Sequence, residues 1–362
     1  MSTIVHLFGS LDPGGAEVRT LEELRARRRP DEHHVFVALS GRVGALEPQF
    51  EAIGCEIVHR RLSPSFPVWF VGFLRRRRPT HVHSHVHLAS GYFLLLAAAA
   101  AVPRRIAHFR SMGDGRAGSV RRKLYRSTAR ALLALFATDL VAVSGSVRDV
   151  ALGRSTRLGR RCTVMYNRID QARFPAAQAP QAGRARLITV GRVDAGKNPL
   201  RAVSIVAELV ERGAFDDVSL TFVGRGSPDS LAEVQRHARA LGVEASIDVL
   251  GERDDVPLLL AGSDLLLATT FREGLPGAIL ESSAAGIPAV VSAIAPNEEA
   301  GRWLPGVTVV PLDAGDEVWC SVIEDAIRGR TDRLSPAEVR AGFDRSPFAL
   351  RGPNAELDRL WS

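Results

Sequence analysis

The chain has 362 residues, 46% of them hydrophobic, and a formal net charge of +7, which suits two domains with cores of their own. Its three cysteines, Cys55, Cys162 and Cys320, are too widely spaced for a disulfide framework or a zinc pattern and favour a reducing cytoplasm. The longest apolar run, residues 88–102, is too short to span a bilayer. We also expect no secretory leader, because Ile4 to Phe8 already has the pattern of a strand.

Strands and helices alternate along the first half, as is typical of a doubly wound parallel sheet. The predicted strands are Ile4–Ser10, His34–Leu39, Glu56–Arg60, His81–His87, Ile106–Arg110, Leu140–Ser144 and Cys162–Asn167. Helical patterns lie between them, at Ala16–Arg28, Pro67–Arg77 and Val120–Phe136.

The second half repeats this alternation after a stretch without periodicity at 168–184, which we interpret as an interdomain linker. Its predicted strands are Leu187–Val193, Ser219–Val223, Ser246–Leu250, Asp264–Ala268, Ala289–Ser292 and Val307–Val310. Its predicted helices include Leu200–Glu211, Ser230–Leu241 and Glu317–Arg328. The sequence therefore predicts one domain at 1–170, a second at 171–345 and a helical tail at 346–362.

Two short motifs follow predicted first strands. Gly14 and Gly15 open a helix, and paired glycines let a backbone approach a ligand, although an ordinary turn explains them equally well. Arg192 and Lys197 follow the first strand of the second half, and both carry the positive charge that binds a diphosphate. Arginine binds phosphate oxygens through a planar guanidinium with several N–H groups, and lysine binds them through a compact ammonium. Lys197 is one of only two lysines in the chain. A solvated loop pair is the alternative.

Four histidines, at 81, 83, 85 and 87, alternate along one predicted strand, and alternation places them on one face. Imidazole is a common metal ligand. Four ligands on one straight strand cannot surround an ion, however, so we do not expect a metal site.

The stretch Ser263–Ala293 has the pattern of strand, loop, helix and strand. Glycine and proline at 274–277 open the helix, whose first amides favour a phosphate. Glu273 lies at the loop tip and Glu281 eight residues later. A phosphate between two carboxylates that bind hydroxyls suits a nucleotide-sugar. Two solvated glutamates on a surface helix are the alternative.

The spacing E-G-L-P-x4-E, followed by A-x-G-I-P, resembles the E-x7-E motif of the retaining glycosyltransferases of family four. The resemblance extends to G-G-x-E at Gly14 and G-R-x4-K at Gly191, and covers nearly the whole chain. It implies an α/β protein of the GT-B type, with two Rossmann-like doubly wound domains facing a cleft. It also implies that the tail at 346–362 crosses back to the first domain.

The same resemblance implies roles for individual residues. The residues implied in catalysis are His108, Glu273, Arg192 and Lys197. Those implied in donor binding are Gly14, Gly15, Arg192, Lys197, Gly224, Glu252, Arg253, Glu273, Gly274, Leu275, Pro276, Gly277 and Glu281. Those implied on the acceptor side are Glu17, His85 and Arg110. Glu273 would hold the donor sugar, Glu281 the ribose, and His108 would touch the transferred sugar.

The sequence contains no D-x-D tripeptide, which argues against a metal-dependent GT-A enzyme. We therefore expect no metal and no other cofactor. The resulting prediction is retaining transfer from a nucleoside diphosphate sugar, with UDP favoured on family frequency, to an acceptor hydroxyl in glycan or natural-product biosynthesis. A sugar-nucleotide epimerase or hydrolase of the same fold, and a catalytically dead nucleotide-binding protein, stay open as alternatives. Nucleic acid is not an expected partner.

The charge is divided unevenly along the chain. Residues 1–170 carry 27 basic and 13 acidic side chains, a balance of +14, while the remainder has 20 and 27, a balance of −7. Base-composition bias toward arginine explains such a count equally well. The alternative is an anionic or lipid-linked acceptor, or peripheral contact with the inner membrane face. In that case the apolar residues of 66–73, Phe66 and Phe73 among them, would add an apolar face.

Overall fold

The computed structural model describes residues 2–27, 29–113, 119–328, 334–352 and 354–362. They divide into two compact units, Met1–Arg168 with Arg351–Ser362, and Ile169–Leu350. The sequence analysis placed these divisions at residues 170 and 345. In the structure, the C-terminal helix is part of the first unit.

In the described part of the chain, the first unit builds a seven-stranded parallel sheet in the order β3-β2-β1-β4-β5-β6-β7. Its strands are β1 (Ser2–Phe8), β2 (Glu32–Ala38), β3 (Glu56–His59), β4 (His81–Ser84), β5 (Arg104–Phe109), β6 (Asp139–Ala142) and β7 (Cys162–Val164). Its helices are α1 (Gly15–Arg27), α2 (Glu47–Glu51), α3 (Phe66–Arg77), α4 (Ser90–Ala99), α5 (Val120–Phe136), α6 (Gly145–Leu152), α7 (Arg157–Arg161) and, at the C-terminus, α15 (Ala355–Trp361).

Over its own described residues, the second unit builds a six-stranded parallel sheet in the order β10-β9-β8-β11-β12-β13. Its strands are β8 (Arg184–Val190), β9 (Asp217–Val223), β10 (Ile247–Gly251), β11 (Leu265–Ala268), β12 (Ala289–Ser292) and β13 (Val307–Val310). Its helices are α8 (Pro199–Glu211), α9 (Pro228–Ala240), α10 (Val256–Ala261), α11 (Gly277–Ala285), α12 (Ala295–Gly301), α13 (Asp316–Arg328) and α14 (Pro336–Arg345).

The strands could be predicted from apolar runs in the sequence because the central strands of a parallel sheet are buried on both faces. Leu265, Leu266 and Leu267 of β11 have no exposed surface, as expected for a central strand of a parallel sheet. Helix α11 follows and ends at Gly286, which adopts a left-handed φ of 92°. A Cβ at Gly286 would lie 2.6 Å from the carbonyl oxygen of Pro336, so glycine also lets α11 pack closely on α14.

The prediction of an α/β chain with two doubly wound sheets is confirmed. Two details are wrong. Strand β4 ends at Ser84, and His87 lies in a short 3₁₀ helix with φ of 53°, so the four histidines do not share one strand face. Helix α3 turns Phe66 and Phe73 into the core, so only Val68, with the half-buried Trp69 and Val71, is left of the apolar face expected there. Among the described residues we find no helix with the length and hydropathy needed to cross a bilayer.

Candidate active site

A row of glycines forms the carboxyl edge of β8, β9 and β10 in the second unit. Gly191, Gly224 and Gly251 have φ angles of 137°, 143° and 70°. The amide of Gly224 donates to the carbonyl of Gly251 at 2.7 Å, and a Cβ on Gly224 would lie only 2.1 Å from the carbonyl oxygen of Gly191. Gly224 therefore has no room for a side chain, and the three glycines together leave this edge as backbone that a ligand can approach.

The loops after β8 and β11 are joined beside this row. The Lys197 ammonium and the Glu273 carboxylate form an ion pair, with 24% and 17% of their side chains exposed. Gly196 accepts hydrogen bonds at 3.0 Å from the Thr270 hydroxyl and from the Phe271 amide. These bonds hold a cation at the sheet edge while leaving part of it accessible.

Helix α11 begins directly after the second of these loops. Its N-cap residue, Pro276, makes no side-chain cap, and proline lacks the amide that would be unpaired there. Pro276 and Leu275 are buried, whereas Gly274, Gly277 and Glu281 are half-buried. The predicted donor-binding residues of this stretch thus gather around one helix N-terminus, where amides and dipole favour an anion.

The remaining predicted donor residues are more exposed. The side chain of Arg192 is 74% exposed and approaches Asp194 at 3.5 Å, so it is free to turn toward a ligand. Glu252 is exposed, and Arg253 is bound at 2.7 Å by Asp255 on its own loop. Arg253 would have to leave that carboxylate to reach a nucleotide.

In the first unit, Gly14 and Gly15 lie at the start of α1. Val18 donates to the carbonyl of Gly14 at 3.0 Å, which begins the helix. A Cβ on Gly14 would lie 2.5 Å from Oε2 of Glu17, so the carboxylate rests against this glycine. Burial raises the pKa of Glu17, an effect opposed by a backbone hydrogen bond and by Arg110.

Arg110, directly after β5, connects the ends of three strands. Its Nε donates to Nδ1 of His85 at 3.1 Å, and its Nη1 reaches Oδ1 of Asn167 and the carbonyl of Ala16 at 3.3 Å. Burial lowers the pKa of Arg110 to about 10, and the negative charges of Glu17 and Glu23 oppose this lowering. The structure therefore brings the three predicted acceptor-side residues together.

His108 lies within β5 and is only 1% exposed. Its Nδ1 lies 3.3 Å from Nε2 of His83, and its buried Nε2 has no hydrogen-bond partner among the described residues. Both residues line a small cavity of about 20 Å³ together with Arg110 and Asn167. Burial lowers the pKa of His108 well below 6.5, so the ring is neutral.

Three residues of this region were missed by the sequence analysis. His6 and His34 lie on β1 and β2 and contact each other at 3.1 Å, and Trp361 donates to Nδ1 of His83 at 3.1 Å. For His6 the sequence did contain a signal, because His6 alternates with Ile4 and Phe8 and therefore lies on the core face of a predicted strand. A polar ring at a core position needs a partner.

Residues 184–319, which contain β8 to β13, match the family profile described as "Glycosyl transferases group 1". Over 329 residues the chain is 27% identical to the capsular polysaccharide biosynthesis glycosyltransferase CapH of Staphylococcus aureus, covering 90% of this chain and 91% of CapH. These matches support a glycosyltransferase of group 1.

Other comparisons agree with this assignment. The glycosyltransferase is 28% identical to the glycogen synthase of Mycobacterium tuberculosis over 361 residues, covering 94% of this chain and 86% of the synthase. The crystal structure of Anabaena Alr3699/HepE in complex with UDP superimposes with a TM-score of 0.78 at 17% identity, covering 96% of each chain. The GT-B prediction is confirmed, and the protein is a transferase. Retention of configuration stays a prediction.

Proposed function

We propose that this glycosyltransferase moves a sugar from a nucleoside diphosphate sugar, with UDP favoured, to an acceptor hydroxyl with retention of configuration. The observation that carries the proposal is the Lys197–Glu273 ion pair. It places one cation and one carboxylate beside a side-chain-free sheet edge and the N-terminus of α11. This is the combination of charges that a sugar diphosphate needs.

In this proposal the donor diphosphate lies against Lys197, the exposed Arg192 and the first amides of α11. The two cations neutralise charge that develops on the leaving diphosphate. Glu273 accepts hydrogen bonds from the donor sugar, and Glu281 accepts them from the ribose. The UDP and UDP-glucose complexes of HepE support a UDP-sugar as donor.

We also propose that no metal ion takes part. Arg192, Lys197 and the helix N-terminus supply the positive charge that a divalent cation would otherwise supply. The leaving diphosphate oxygen takes the acceptor's proton on the same face of the sugar, which is the route that preserves configuration. This route needs no carboxylate nucleophile.

The first unit provides the acceptor side, through Glu17, His85 and Arg110. An anionic or lipid-linked acceptor fits the balance of +14 in residues 1–170. Helix α5 offers a surface for peripheral contact, because Val120, Leu124 and Leu135 are 82%, 68% and 72% exposed and lie among arginines and Lys123.

A donor panel tests the proposal. UDP-, GDP-, ADP- and dTDP-sugars are compared by thermal shift, since a ligand at a hundred times its dissociation constant adds roughly 2.7 kcal/mol of stability. The stabilising sugar nucleotide is then assayed for transfer and hydrolysis with and without a chelator, and the product anomer is assigned by ¹H NMR. An inverted product or loss of activity with the chelator contradicts the mechanism. Full turnover without an acceptor favours the epimerase or hydrolase alternative.

A further inference from the structure

Five histidines from four neighbouring strands form a continuous layer on one face of the first sheet. They are His34 on β2, His6 on β1, His83 on β4, His85 directly after it, and His108 on β5. His6, His83 and His108 are almost completely buried. Their ring nitrogens contact one another at 3.1 to 3.4 Å, which places them in two hydrogen-bonded series.

The first series starts at Trp361. An indole N–H only donates, and Trp361 lies 3.1 Å from Nδ1 of His83, so this nitrogen carries no hydrogen. A neutral imidazole has a single N–H, which His83 must therefore carry on Nε2 and donate to Nδ1 of His108 at 3.3 Å. The hydrogen of His108 is thus left on Nε2, the buried atom without a partner among the described residues.

The second series starts at Arg110, whose Nε only donates, and fixes the next three rings in the same way. His85 donates to Nδ1 of His6 at 3.4 Å, and His6 donates to Nδ1 of His34 at 3.1 Å. The series ends at Glu32, whose carboxylate lies 3.4 Å from Nε2 of His34 and only accepts. Because Arg110 can only donate and Glu32 can only accept, every hydrogen bond of this series points from Arg110 toward Glu32.

This bonding also decides against a metal at the same place. Ligand atoms of His6, His83 and His85 lie within 4.8 Å of one another, close enough to share an ion. Each of their six ring nitrogens already takes part in a hydrogen bond, to another ring, to Trp361 or to Arg110. A metal would have to break both series.

We propose that Trp361 is a positioning residue that, through His83, fixes His108 as a hydrogen-bond donor at Nε2. His108 also lines the adjoining cavity, so a group that reaches Nε2 from there meets an N–H and must present an acceptor oxygen, such as that of a sugar hydroxyl. His108 cannot act as a general base, because Nε2 carries a hydrogen and Nδ1 accepts one. The tautomer assignment stands by itself, whereas the sugar oxygen as ligand rests on the proposed function.

Long-range ¹H–¹⁵N NMR of the full chain with ¹⁵N-labelled histidine tests the assignment without any substrate. At pH 7.5 we expect all five rings to carry their hydrogen on Nε2. Trp361→Phe removes the indole N–H but keeps an aromatic ring, so His83 and His108 should become tautomer mixtures while His6, His34 and His85 stay unchanged. A hydrogen on Nδ1 of His83 or His108 in the parent overturns the proposal, even if the variant fails to fold.

Trp319→Phe is the matched control. Trp319 is fully buried in the second unit, and its indole nitrogen has no hydrogen-bond partner among the described residues, so the same substitution should leave all five tautomers unchanged. With a donor sugar that the parent transfers, Trp361→Phe should lower kcat about tenfold, as for one lost transition-state interaction. An altered His108 tautomer with unchanged kcat overturns the positioning role. A parent without transferase activity refutes the proposed function but leaves the NMR result standing.

Discussion

Lys197 and Glu273, 76 residues apart, form an ion pair that joins the loops after β8 and β11. Both side chains are about one-fifth exposed, so the pair is sheltered but open to a ligand. The Thr270 hydroxyl and the Phe271 amide, both after β11, donate to the Gly196 carbonyl in the loop after β8, so the ends of two strands together fix the position of the ammonium.

Replacing this ammonium should slow the reaction much more than replacing a nearby exposed cation. We expect Lys197→Ala to lower kcat about 100-fold, because charge on the leaving diphosphate loses a fixed partner in the transition state. Arg225→Ala removes an exposed arginine from the loop after β9 and should change the rate little. Steady-state kinetics of the two variants measure the loss of kcat in each. Equal losses show that Lys197 does not contact the diphosphate.

The two glutamates should separate binding from turnover. Glu281→Ala should weaken UDP binding about tenfold, since a ribose contact is made equally before and during the reaction. Glu273→Ala should mainly lower kcat, because the sugar it holds changes charge in the transition state. Calorimetry with UDP and steady-state rates measure both effects. If both variants bind UDP like the parent, the assigned roles are wrong.

Crowding at the glycine row should make one alanine substitution costlier than another. Gly224 and Gly242 both have positive φ, 143° and 71°, so alanine strains either backbone by about 1–3 kcal/mol. Only at Gly224 would the Cβ meet Gly191, at 2.1 Å, which adds about 1–3 kcal/mol and closes the ligand edge. We expect Gly224→Ala to have the lower Tm and the weaker UDP binding. Identical behaviour of the two variants contradicts this packing.

The histidine layer should make stability depend on pH between neutrality and mild acid. Burial lowers the pKa of His6, His83, His85 and His108 well below 6.5 in the folded protein. Below pH 6.5 the unfolded chain binds protons that the folded chain does not, so this stability is complete above 6.5 and is lost as the pH falls. Each such ring contributes a slope of about 1.4 kcal/mol per pH unit. Urea unfolding at pH 7.5, 6.5 and 5.5 measures it, and a flat profile contradicts the neutral layer.

Contact with an anionic surface should depend on salt. We expect the enzyme to float with anionic vesicles at low salt and to be released at high salt, since each basic residue near such a surface is worth about 1 kcal/mol and salt screens it. Leu124→Ser on the exposed face of α5 should reduce recovery without reducing stability. Neutral vesicles are the control. Absence of recovery with anionic vesicles at low salt contradicts membrane contact and leaves an acidic soluble acceptor or arginine bias to explain the charge.

The strands were predictable because a parallel sheet is buried on both faces. Runs such as Leu265–Ala268 are short and apolar throughout, which is a local signal. Helix α3 shows the limit of such signals. Its sequence contains apolar residues all round, and only the position of the sheet decides that Phe66 and Phe73 are buried while Val68 is 79% exposed.

The candidate site was predictable where one motif contains its members and unpredictable where distant strands meet. Glu273 and Glu281 lie on one loop and helix, so their spacing in sequence fixes their neighbourhood. The contact of His6 with His85 depends on β1 lying next to β4, an order that no local pattern gives. The same is true of Trp361, whose partner His83 lies 278 residues earlier.

Helix α15 gives the first unit an unusual order of assembly. Leu357, Leu360 and Trp361 belong to the same hydrophobic core as Ile4 and Phe36, although residues 169–350 are synthesised in between. Residues 1–168 are therefore synthesised well before the side chains that cover this face of their sheet. A fragment that ends at residue 168 therefore lacks part of the core of the first unit, and this core is completed only after the whole second unit has been made.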